Sequence, residues 1–129
     1  MSAFVKTGIA VVVGAGIGAA SMEALRAQAK PPALVIAEVD IRNQDVYAKE
    51  FLPARAKAVA EAGGRYIVRG AQARAVVGQP PTARIVVVQF EDVDKLVAFA
   101  ESKGFKDSEA IGEKYANLRI YAVKGLPDR

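Results

Sequence analysis

The chain has 129 residues, with 18 basic and 14 acidic side chains for a formal net charge of +4, and it contains neither cysteine nor histidine. Disulfides, thiolate and imidazole chemistry and the usual zinc ligand sets are thereby excluded. So mild a positive balance is also too small for a dominant phosphate-binding term.

The first element is the apolar run IAVVVGAGIGAAS, Ile9 to Ser21. Gly14, Gly16 and Ala19 fit the G-x-G-x-x-A form of a dinucleotide-binding turn, with Ile9 to Val13 as the strand before it and Glu38 as the acid for the ribose. That fingerprint needs further parallel strands joined by crossover helices, and the rest of the chain does not read that way. A secretory signal explains more of the same letters. Met1 to Thr7 holds one charge, Lys6; Gly8 to Ala20 is an uncharged run of thirteen; and Ala27-Gln28-Ala29 offers small residues to a peptidase just ahead of Pro31 and Pro32. Thirteen helical residues span about 20 Å, short of the roughly 30 Å hydrocarbon core. Residues 1–29 are read as a signal peptide or, as the open alternative, an uncleaved membrane anchor. Residues 30–32 are then a linker, 33–125 the folded domain and 126–129 a tail. Removing residues 1–29 takes away Lys6, Arg26 and Glu23, which leaves 16 basic and 13 acidic residues, a net of +3. The expected location is periplasmic or secreted.

Along the mature chain, ALVIAEVDI from Ala33 to Ile41 is β-branched and reads as a strand. NQDVYAKEFLPARAKAVAEAGG reads as a helix, with Asn43 or Asp45 as its N-cap and Gly63-Gly64 as its stop. Tyr47, Phe51, Ala54, Ala58 and Ala62 follow helical spacing and form the expected buried stripe. Pro53 inside that pattern predicts a kink or break near Leu52. RYIVRG starts a second strand, expected to bend at Gly70 and run on through ARAVVG to a turn at Gln79-Pro80-Pro81. Arg84 to Glu91 is the clearest strand. Asp92 caps a helix, VDKLVAFAES, that is expected to end near Gly104, and DSEAIGEKYA suggests a shorter helical piece. NLRIYAVKG closes the chain as a last strand.

This βαββαβ order is the ferredoxin-like split βαβ arrangement, an antiparallel sheet with both helices on one face. An open antiparallel sheet normally alternates apolar inward and polar outward. These strands do not: Val35, Ala37 and Val39 oppose Leu34 and Ile36, and Ile85 and Val87 oppose Val86, Val88 and Phe90. Both faces need cover, and a homodimer laid sheet against sheet would supply it, because each large side chain buried contributes about 1.5–3 kcal/mol. RNA-recognition domains share the element order, but the strands here lack the glycine-aromatic pattern on which bases stack, so no nucleic-acid partner is expected. Membrane contact is expected only through residues 1–29, if they are retained.

AEAGGRYIVRG, RIVVVQF and EKYANLRIYAVKG together resemble the bacterial family called domain of unknown function 1330, within the dimeric α/β barrel superfamily. The resemblance covers about Ala33 to Gly125. It implies a ferredoxin-like homodimer whose two sheets face each other, with no established activity; some relatives in the superfamily are cofactor-independent monooxygenases or isomerases on small organic compounds. Two positions depart from the family pattern, Phe99-Ala100-Glu101-Ser102 in place of Trp-Tyr-x-Ser and Gly112 in place of a basic residue.

The candidate catalytic residues are Arg69, Tyr47 and Tyr115. Arg69 lies in the most specific family element and could clamp a carboxylate, or else form an inter-strand or inter-subunit salt bridge to a partner such as Glu38 or Glu91. Tyr47 reads as a phenolic donor in a pocket or as an amphipathic core side chain, and Tyr115 as a pocket wall or simple packing. The candidate ligand contacts are Asn43, Glu38 and Tyr66. Helix capping explains Asn43 without a ligand, and Glu38 is either a general base or a paired strand carboxylate. Neither a cofactor nor a metal is expected. The functional expectation is a binder of a small apolar or carboxylate-bearing molecule, with a cofactor-independent oxygenase or isomerase as the alternative.

Overall fold

Alternation of β-branched residues sets the architecture. A computed structural model describes residues 30–127, so the expected leader, residues 1–29, lies outside the described residues. Four strands, β1 (Ala33–Ile41), β2 (Arg65–Gln72), β3 (Arg84–Phe90) and β4 (Ala116–Lys124), form one antiparallel sheet in the order β2-β3-β1-β4. Between β1 and β2 runs helix α1, residues 44–61; between β3 and β4 run α2 (Val93–Glu101) and α3 (Lys103–Tyr115). This is the expected ferredoxin-like order.

Register divides the sheet into two faces. Val35 pairs with Val88 and Ala37 with Val86, and all these side chains point to the helices with Ala33, Val39 and Phe90. The core falls into two clusters. One gathers Val35, Val59, Val88, Phe90, Leu96 and Phe99; the other gathers Ala37, Val39, Tyr47, Phe51 and Ala116. The opposite face carries Leu34, Ile36, Val68, Ile85 and Val87, all half-buried, with Tyr121 and Val123 each 42% exposed. Both faces are therefore apolar, as the broken alternation implies.

Helix α1 bends its hydrogen bonding where Pro53 requires it. Asn43 caps the first turn, its side chain accepting from the Val46 N–H at 3.3 Å. Tyr47–Phe51 is then a π-helical turn, in which the Leu52 N–H bonds to the Tyr47 carbonyl, and Leu52–Glu61 resumes as α-helix with Pro53 in its first turn. Proline lacks an N–H and its ring clashes with the carbonyl four residues back. Placing the irregular turn just before Pro53 absorbs that conflict without breaking the helix. The expected stripe is seen: Tyr47, Phe51 and Ala58 are buried, and Ala54 and Ala62 half-buried.

Two expected boundaries are corrected. The second strand ends at Gln72 and does not run on to the prolines: Val76 and Val77, which look like strand residues, are 95% and 92% exposed. The β2–β3 ladder ends at the pair Gln72 and Arg84, and no strand among the described residues pairs with Val76 or Val77. Gly104 does not stop a helix. Asp92 caps α2 by accepting from the Lys95 N–H, and Ser102 caps α3 by accepting from the Phe105 N–H, so the chain turns a corner between the two helices and Gly104 lies inside the 13-residue α3. A Cβ there would stand 3.0 Å from the Ala58 Cβ, so glycine at this point serves the close crossing of α3 over α1.

Candidate functional site

The helix face is not completely filled. At the end of the sheet where β1 finishes and the β2–β3 hairpin begins, a half-open cavity of about 330 Å³ lies between the sheet and α1. Its floor is apolar, built from Ala37, Val39, Val86, Leu118 and Ile120. The π-helical turn and the residues after it form the roof, which brings Tyr47, Phe51, Leu52 and Arg55 over that floor. Turns of this kind occur often at functional sites.

Three of the candidate residues meet here: Tyr47, Tyr66 and Arg69 all line the cavity. Arg69 stands on the helix face of β2, opposite Val86, and its guanidinium stacks over the Tyr66 ring at 4.5 Å from the centroid. It forms no ion pair among the described residues, so no bridge to Glu38 or Glu91 is made within the chain. Glu38 is on the other face of the sheet. There it accepts from Arg119 Nη2 at 2.8 and 2.9 Å and from the Tyr121 hydroxyl at 2.8 Å. The hydrogen bond from Arg119, and after it that from Tyr121, holds the Glu38 carboxyl below its ordinary pKa, which suits a paired carboxylate rather than a base. Asn43 is spent on its cap. Tyr115 is outside the cavity lining, with its hydroxyl 3.4 Å from Glu50 Oε1 and its carbonyl accepting the N–H groups of Arg42 and Asn43.

Two site residues were not anticipated. Arg84, the first residue of β3, lines the cavity and donates from Nη1 to the Gly70 carbonyl at 3.1 Å; it too has no carboxylate partner among the described residues. Gly70 is an unpaired residue of a bulge in β2 with φ of +76°, a left-handed conformation that glycine adopts without strain and that turns its carbonyl to this contact. Arg55 lies on the roof between the rings of Phe51 and Phe105, at 4.7 and 4.5 Å from their centroids, and is tied to Ser108 and Glu109. The lining holds three guanidiniums and two phenols but no carboxylate.

All four tyrosines of the chain have raised pKa values. Burial pushes Tyr47 up to about 12, against a smaller opposing pull from Arg55, and burial likewise raises Tyr66 and Tyr115. At Tyr121 the first cause is its hydrogen bond to Glu38. In the cavity the phenols are thus neutral hydrogen-bond donors at any ordinary pH. Because these folded pKa values lie above the unfolded value near 10, the associated stability is fully present below about pH 10 and is lost as pH rises through the folded values. A spectrophotometric titration of the folded chain is expected to show tyrosinate formation displaced above its ordinary pH, with Tyr47 ionising at about 12 or on unfolding. A normal step accounting for half the tyrosines would contradict this placement.

Four antiparallel strands with the helices packed on one face, and a cavity beneath them, define a ferredoxin-like α+β domain. The match to the family model of the domain of unknown function DUF1330 runs over residues 32–126, and the chain belongs to that family. No curated protein sequence matches the chain. Among solved structures, the protein of unknown function RPA0582 from Rhodopseudomonas palustris superposes with a TM-score of 0.60 at 13% identity, covering 82% of this chain and 92% of that one. HapK from Hahella chejuensis gives 0.55 at 14% identity, over 75% of this chain and 95% of its own. SnoaB, a cofactor-independent oxygenase from Streptomyces nogalater, gives 0.53 at 11% identity, over 72% of this chain and 91% of its own. At such identities the likeness is one of fold.

Proposed function

We propose that the domain is an exported homodimer that binds a small apolar or carboxylate-bearing molecule in the cavity under α1. The observation that carries this reading is the wall chemistry: an apolar floor joined to Arg69 and Arg84, neither of which has a carboxylate partner among the described residues. Concave, largely apolar sites with a few placed polar groups are where small ligands bind, and 330 Å³ lies at the small end of their range. The apolar outer face of the sheet supports the dimer, since a second copy would bury Ile36, Val87 and their neighbours. Export is supported by the order of charge, apolar run and small residues in the leader.

A second reading, cofactor-independent oxygenation of the bound compound, is favoured by the same two guanidiniums, which would stabilise an enolate or other developing anion. It also draws on the likeness to SnoaB. Against it stands the lack of a proton acceptor in the lining, which has no carboxylate and only phenols of raised pKa. Binding is therefore the primary reading.

Native mass spectrometry of the protein from a periplasmic extract tests the proposal. The expected species begins at Lys30, has twice the mass of the processed chain and carries a small-molecule adduct. A cytosolic monomer beginning at Met1 with no adduct would overturn it. Consumption of dioxygen by the released compound only in the presence of the protein would select the second reading.

A further inference from the structure

The sheet order gives the cavity a direction. Its lining runs across all four strands: Arg69 and Gly70 on the edge strand β2, Arg84 and Val86 on β3, then β1, then Leu118 and Ile120 on β4 at the other edge. Neighbouring strands lie about 4.8 Å apart, so β2 and β4 are separated by roughly 14 Å. Unpaired positive charge is confined to the β2–β3 end, while the β4 end is branched hydrocarbon roofed by Phe51. Arg55 does not alter this polarity, because Glu109 already answers its charge with Nη2 to Oε1 at 2.7 Å.

The charged end also has donors to spare. A guanidinium carries five N–H donors. Arg84 commits one to the Gly70 carbonyl, and the Arg69 side chain, with no hydrogen bond among the described residues, is positioned by stacking on Tyr66. Stacking fixes the plane of the fork and leaves its edge open for an oxyanion.

Accepting the cavity as the binding site, we propose that its ligand is an amphiphilic monocarboxylate. The carboxylate is clamped by Arg69 and Arg84 between β2 and β3, and the hydrocarbon lies across β1 to Leu118 and Ile120. A dicarboxylate is disfavoured, because its second charge would be desolvated at the β4 end, where no unpaired cation among the described residues meets it. A cation is repelled by the guanidiniums. A sugar or other polyhydroxylated ligand would leave its hydroxyls unsatisfied against the apolar floor.

Titration calorimetry on the purified full chain, with a series of straight-chain acids and their analogues, tests both the head group and the direction. Affinity is expected to rise from acetate through butyrate to octanoate, with octanamide and the dicarboxylate suberate each at least tenfold weaker than octanoate. Arg69→Ala, and independently Arg84→Gln at an exposed position, should abolish the preference of octanoate over octanamide. Leu118→Phe, which fills the β4 end, should weaken octanoate while sparing butyrate. Equal affinity for octanoate and octanamide would overturn the head-group assignment and leave the cavity-binding reading intact. An equal effect of Leu118→Phe on butyrate and octanoate would overturn the direction. Failure of every acid and amide to bind would remove the cavity-binding reading itself.

Discussion

Phe90→Ala is expected to cost about 3–5 kcal/mol of folding stability, the upper range for truncating a core aromatic. Phe90 ends β3 with 1% of its surface exposed, and its ring centroid lies 5.0 Å from that of Phe99. It also presses on the turn after α1: a Cβ built on Gly64 would stand 2.8 Å from the Phe90 ring. The side chain thus joins β3, α2 and the end of α1. Against a total stability of about 5–15 kcal/mol for a domain of this size, the loss is a large fraction of what holds the fold. Phe90→Leu, which keeps most of the volume, should cost far less, about 1.5 kcal/mol. Urea unfolding of both variants decides the matter: the midpoint should fall in proportion with the slope unchanged. A loss below 1 kcal/mol for Phe90→Ala would mean that this cluster is not the centre of the core.

Such a core was legible because its signal is periodic. The strands announce themselves through β-branched alternation, and the same alternation puts Glu38 on the face of Leu34 and Ile36, away from the helices. What the sequence hides is longer in range. Val76 and Val77 have strand propensity, but a strand needs a partner, and β3 begins only at Arg84. Gly104 looks like a stop until Ala58 is seen against it. Gly112, one of the departures from the family pattern, has a local reason as well: a Cβ there would meet the Phe51 ring at 2.7 Å and the Leu118 side chain at 2.9 Å, so the glycine makes room for two cavity walls. Part of the site could also have been found. Arg84 has the parity of Val86, Val88 and Phe90, which assigns it to the helix face, and Arg55 lies four residues beyond Phe51 on the buried stripe of α1. A charged residue at an apolar position is the signal in both cases, whereas Arg69 is marked by the family resemblance.

Arg55→Ala is expected to cost about 2–3 kcal/mol, although arginine is usually a surface residue. The charge is only 11% exposed, stacks on Phe51 of its own helix at 4.7 Å and joins α1 to α3 in three ways: the Phe105 ring at 4.5 Å, Nε donating to Ser108 Oγ at 2.8 Å, and Nη2 to Glu109 at 2.7 Å. Each ring contact contributes about 0.5–2 kcal/mol when desolvated. Removing the guanidinium also leaves Glu109 without its partner and Ser108, fully buried, without that donor, although the Ser108 hydroxyl keeps its own bonds to the carbonyls of Gly104 and Phe105. Arg55→Lys restores charge but neither the planar fork nor the stack, so it should recover less than half the loss. Pairing Arg55→Ala with Glu109→Ala in a double-mutant cycle should give a coupling of about 1 kcal/mol or more. A change within 0.5 kcal/mol for Arg55→Ala, with no coupling, would free this guanidinium from structural duty. The cavity would then carry three available positive charges instead of two, and its electrostatic direction from β2 to β4 would no longer follow.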